Sequence, residues 1–91
     1  MVFEFDPYKS ASNFVKHGVD FVDAQRLWDG PTVSFDTKPG TDQVRRLTVG
    51  AVDGKHWTAI TTMREGRTRT ISVRRSRKKE VEAYVRYCQG G

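Results

Sequence analysis

The sequence predicts an α+β domain with two N-terminal helices, a four-stranded antiparallel sheet and a C-terminal helix. Three observations carry that expectation. Apolar residues recur at helical spacing up to Trp28 and again beyond Ser76, and at a period of two between them. Two glycine turns, Asp53-Gly54 and Glu65-Gly66, divide the alternating stretch into hairpins. Strands joined by hairpins pair antiparallel. A chain of 91 residues has room for one core, so residues 1–91 are read as a single domain.

Each element has its own signal. Val2 to Phe5 alternates weakly, as a very short strand does. Asp6-Pro7 reads as an N-cap followed by proline at the first helical position, and Gly18 as the left-handed residue that ends the helix after His17. Tyr8, Ala11, Phe14 and Val15 form its apolar face; Lys9, Asn13, Lys16 and His17 gather on another. Asp20 opens a second helix with the stripe Phe21, Ala24, Leu27 and Trp28, ended by Asp29-Gly30-Pro31. Val33 and Phe35 begin the alternating region, followed by a turn-rich loop, TKPGTDQ, from Thr37 to Gln43. Leu47 and Val49 are expected to face the core while Arg46 and Thr48 face outward. Trp57, Ala59, Thr61 and Met63 mark the third strand, and Arg69 to Arg74 the fourth, with Ile71 and Val73 inward. Val81, Tyr84, Val85 and Cys88 form the stripe of the last helix, and Gln89-Gly90-Gly91 is expected to fray.

Composition narrows the function. A formal charge of +5 on so short a chain favours an anionic partner. The start, MVFEFDPYKS, has acids where a signal peptide has bases, and no run approaches the ~20 apolar residues of a membrane span. The lone Cys88 excludes an internal disulfide and suits a reducing compartment, so a cytoplasmic location without a membrane partner is expected. Two scattered histidines lack metal-ligand spacing, and the glycines form no phosphate loop. No metal and no cofactor are expected.

The segment RTRTISVRRSRKKE holds five arginines and two lysines around a small apolar centre. Arginine suits phosphate because its planar fork donates parallel hydrogen bonds and keeps its charge. RNA carries its own nucleophile, the 2′-hydroxyl. A protein that aligns it, stabilises the added negative charge and moves two protons therefore needs no metal. Arginine supplies the second of these and cannot serve as a base. His17 is the better proton carrier by residue type, since imidazoles exchange protons near neutral pH, yet it equally closes a helix end. His56 beside a hairpin and Glu65 in a turn are weaker proton carriers. Tyr84 and Trp57 are read either as core or as platforms for a base.

Taken in order, FEFDPYKSASNFVKHGVDF, RRLTVG and RTISVRRSRKKEVEAY resemble the BrnT family of toxins from bacterial toxin–antitoxin pairs. Its members typically open with F-E-W-D, continue with K-H-G-V-x-F and close with R-I-I-S-A-R-x-A and E-x-x-x-Y. Here Phe5, Thr70, Val73 and Ser76 depart from that pattern. The resemblance implies a RelE-like ribonuclease fold, cleavage of mRNA, inhibition of translation, and neutralisation by a BrnA-type antitoxin within a hetero-oligomer. Combined with the strand alternation, it places Arg46, Arg69 and Arg74 in one phosphate cradle, with Lys9 and His17 flanking the scissile bond. Arg64, Ser72, Arg75 and Arg77 are the expected further RNA contacts. The alternative reading is a non-catalytic basic module for nucleic acid or an acidic protein.

Overall fold

Asp6 opens the first helix, α1 (Pro7–His17), by accepting the Tyr8 backbone N–H at 2.8 Å, and Gly18 closes it in the left-handed region at φ 84°. The computed structural model describes residues 3–37 and 45–89. Val2, the expected loop beyond Thr37 and the Gly90-Gly91 end lie outside the described residues.

The face that α1 buries is the reverse of the expected one. Ser10 and Asn13 are its buried residues, while Tyr8, Ala11, Phe14 and Val15 are exposed. The reason lies in the backbone groups it meets. The Asn13 amide donates to the carbonyls of Val19 and Val73, each at 2.8 Å, and its oxygen accepts the Val73 N–H at 3.2 Å. The Ser10 hydroxyl accepts the Phe21 N–H at 2.9 Å. Unpaired buried backbone groups cost ~1–3 kcal/mol each, so a polar helix face is favoured here over an apolar one.

The expected second α-helix is instead a 3-10 helix, Asp23–Asp29. Phe21, Ala24 and Leu27 are buried at intervals of three, which matches three residues per turn better than 3.6. Its N-cap is Val22, and Asp20, just ahead of it, accepts the Asp23 N–H at 2.7 Å.

The sheet is also different from expectation. It has five strands in the order β1-β5-β4-β3-β2: β1 (Phe3–Glu4), β2 (Thr32–Asp36), β3 (Arg45–Val52), β4 (Lys55–Arg64) and β5 (Arg67–Arg75). β2 to β5 are antiparallel, but β1 pairs parallel to β5, so the sheet is mixed rather than a four-stranded antiparallel one. The strand lies within the alternating stretch from Val2 to Phe5, but its parallel partner is more than sixty residues away and leaves no local mark. Both hairpins turn through left-handed pairs, Asp53-Gly54 and Glu65-Gly66, as the type I′ pattern requires.

Both faces of the sheet carry cover. On the first, Val19, Phe21, Ala24 and Leu27 pack with Ala59 and Val73 to form the core, with Phe5, Trp28, Val52 and Trp57 around it. Gly50 is required there, because a Cβ would meet Leu27 Cδ2 at 2.8 Å. On the second face α2 (Lys78–Tyr84), continued by a π-helical turn (Val85–Gln89), packs against β2 and β3. Its Tyr84 ring meets His56 edge-on at 5.1 Å, and its Glu80 reaches Thr58 on β4. Val49, expected in a single core, therefore lies fully buried on the α2 side, and Leu47 is only half-buried.

Candidate nucleic-acid interface

Strand register builds a row of charge across the second face. Arg45 of β3 stands opposite Thr62 of β4, Thr62 opposite Arg69 of β5, and Arg69 beside Glu4 of β1. Residues paired across neighbouring strands share a face, so these four lie in line. Arg64 and Arg67 pair in a flanking row on the same face, one on each side of the Glu65-Gly66 turn. In the other direction come Phe35, Leu47, Ile60 and Ser72, then Val33, Val49, Thr58 and Arg74. α2 covers the Thr58–Arg74 end and leaves the arginine end open.

A β-bulge makes this arrangement possible. Arg69 and Arg74 are an odd number of residues apart and would point oppositely in a regular strand. Ser72 pairs with Ile60 and Thr70 with Thr61, which leaves Ile71 without a partner across the ladder. That extra residue resets the alternation and puts Arg69 on the face of Ser72 and Arg74.

Arg46 goes the other way. It pairs with Thr61 on the first face, where its Nε donates to Asp36 at 2.9 Å, a bond that raises the arginine pKa. The single cradle expected from Arg46, Arg69 and Arg74 is thus split across the sheet. Its place in the row is taken by the neighbouring Arg45, one residue out of the expected register.

Arg74 shares the face of Arg69 but is engaged. Its two Nη atoms donate to Glu80 at 2.8 and 2.9 Å, with only 19% and 13% of the two side chains exposed. Glu80 also accepts the Arg77 N–H at 2.7 Å and the Thr58 hydroxyl at 3.0 Å. The Arg74 guanidinium is the main reason that the Glu80 carboxyl is held down at about 2, against the opposing effect of burial. Arg74 is the strut that fastens α2 to the sheet.

The open row keeps its charge. Glu4 lies 3.7 Å from an Arg69 nitrogen and 3.9 Å from one of Arg67. One Glu4 oxygen, Oε1, is buried without a hydrogen-bond partner. This carboxylate is looser than Glu80 and faces two arginines at once.

The other expected residues are spread around it. In steps of 100° per residue about α1, Ser10 faces the core, Asn13 faces the β5 edge, and Lys9 and Lys16 come next. Lys9 and Lys16 are both exposed. His17 is exposed at the end of α1 next to Gly18. Arg75 belongs to the first face, 5.5 Å over the Trp57 ring, and its Nε donates to the His56 carbonyl. Arg77 is exposed at the N-cap of α2, and Arg64 and Ser72 do lie on the face of Arg69. Neither Tyr84, on the buried side of α2, nor Trp57, against the core, is free to stack on a base; Phe35, beside Leu47, is 37% exposed on the open face.

Sequence reasoning missed Glu4, Arg45 and Arg67. Glu4 was legible in principle as the acid of FEFD, the opening motif. Arg45 and Arg67 carried no signal beyond their charge, because register and bulge decide their side.

A small α+β domain with a half-covered sheet face and four arginines on the uncovered part has the build of a protein that acts on a phosphodiester polymer. The family described as "Ribonuclease toxin, BrnT, of type II toxin-antitoxin system" matches residues 5–80. The chain belongs to this family of ribonuclease toxins, whose type II systems pair the toxin with a protein antitoxin. No curated protein matches the chain. Among the described residues no helix is long and apolar enough to cross a membrane.

Proposed function

We propose that RNA is cut at the open end of the second face, without a metal ion, by the row Arg45–Thr62–Arg69–Glu4. The observation that carries this reading is the register that aligns a carboxylate and two arginines across four strands, with Arg64 and Arg67 in the flanking row.

The 2′-hydroxyl attacks the adjacent phosphorus while the bond to the 5′-oxygen breaks. Its proton passes to the Glu4 carboxylate, which stands in the row where His17 does not. The negative charge gathering on the phosphoryl oxygens is met by Arg69, aided by Arg45; removing one such preorganised donor typically costs ~3 kcal/mol of barrier. Lys9 of α1 donates the second proton, which turns the departing 5′-oxygen into a hydroxyl. Arg64 and Arg67 hold flanking phosphates, Ser72 donates to one, and the Phe35 ring receives a base. The products are a 2′,3′-cyclic phosphate and a 5′-hydroxyl. In the cell the substrate is mRNA in the cytoplasm, translation stops, and a BrnA-type antitoxin restores it.

The test uses purified protein with a synthetic RNA in EDTA, and the same RNA with a single 2′-deoxy nucleotide at the mapped cut. Cleavage of the first to a cyclic phosphate, with the second left intact, supports the reading. Cleavage that needs added divalent ion, or that ignores the deoxy substitution, rules it out.

A further inference from the structure

α1 shows its apolar residues to solvent. Tyr8 is 87% exposed, Val15 84% and Phe14 58%, although these are the residues that a packed amphipathic helix would bury. Tyr8, Ala11 and Val15 succeed one another at i, i+3 and i+7, a continuous ridge along the outer side of the helix. The flank of that ridge carries Lys9 and Lys16, and α1 contains no acidic residue.

We propose that this ridge is the seat of an acidic amphipathic segment of the antitoxin. The proposal rests on the reading above, because it gives the antitoxin a route to the cleavage face. Charge selects the occupant. A second copy of a chain with net charge +5 would bring lysine against lysine, whereas a segment with an apolar stripe and flanking carboxylates satisfies both parts of the surface. Seated on Tyr8 and Val15, such a segment places its carboxylates on Lys9 and Lys16. Neutralisation then removes Lys9 from the RNA.

The experiment compares wild type with Tyr8→Glu/Val15→Glu, each titrated with the purified cognate antitoxin by calorimetry, with melting curves and RNA cleavage measured on both. The ridge residues lie outside the cleavage row, so cleavage by the free variant stays at the wild-type rate. The expected result is a dissociation constant raised at least about 30-fold, as for loss of interface anchors, and cleavage that the antitoxin no longer suppresses. Antitoxin affinity unchanged in a folded variant overturns the proposal. So does a wild-type toxin that is dimeric alone and becomes monomeric on Val15→Glu, or one whose ridge binds anionic phosphatidylglycerol vesicles and stays exposed in the antitoxin complex. If wild type itself fails to cut RNA yet antitoxin binding still depends on the ridge, the cleavage reading falls and the docking surface stands.

Discussion

Glu80→Gln removes a charge without changing shape, at the point where α2 is fastened to the sheet. In the folded chain the Glu80 carboxyl titrates at about 2 instead of 4.5, chiefly through its paired bonds with Arg74. At 1.36 kcal/mol per pKa unit this displacement corresponds to about 3 kcal/mol of stability at neutral pH. Because the folded value is depressed, the contribution is complete above about 4.5 and is lost as pH falls toward 2. Linkage puts roughly 1.4 kcal/mol of it still present at pH 3. Urea unfolding of wild type and Glu80→Gln from pH 7 to pH 3 measures this directly. At pH 7 the variant should be less stable by about 3 kcal/mol, a melting difference of roughly 10–20 °C for a domain of this size, and the gap should narrow steadily with acid. A gap that is absent at pH 7, or that holds constant down to pH 3, would refute the assignment of Arg74 and Glu80 as the strut.

The same packing makes further predictions. Asn13→Ala leaves the backbone groups of Val73 and the Val19 carbonyl unpaired and should destabilise by ~2–4 kcal/mol, read from chemical denaturation. Gly50→Ala drives a methyl onto Leu27 and should cost ~1–3 kcal/mol in the same assay. Arg64→Ala should leave the melting temperature nearly unchanged while lowering by about 0.7 the slope of log affinity for single-stranded RNA against log salt. A slope equal to that of wild type would remove Arg64 from the RNA path.

Elements with a strong local signal were legible in the sequence. The Asp6-Pro7 start and Gly18 stop of α1 announce themselves through capping chemistry, and Asp53-Gly54 and Glu65-Gly66 through their left-handed backbones. What the sequence hid depends on distant partners. β1 was marked by the alternation from Val2 to Phe5 but its parallel pairing with β5 was not, and the polar face of α1 is buried because Val73 and Val19 offer backbone groups to Asn13. The 3-10 helix differs from an α-helix by a spacing of three that a stripe including Trp28 obscures. In the candidate site, Arg69 and Ser72 were expected on the basic strand and do lie on the open face. Arg46 was placed by simple alternation, but a sheet covered on both faces has no single inward parity. The bulge at Ile71, invisible in sequence, decides which arginines meet.

The central claim is that the arginines of the second face, and not Arg46 on the first, meet the scissile phosphate. Single-turnover cleavage of one RNA by Arg69→Ala and Arg46→Ala, each shown to be folded, tests it most directly. Arg69→Ala should lower the rate about 100-fold or more, and Arg46→Ala should stay within a few fold of wild type. The reverse order, with Arg69→Ala active and Arg46→Ala dead, would contradict it.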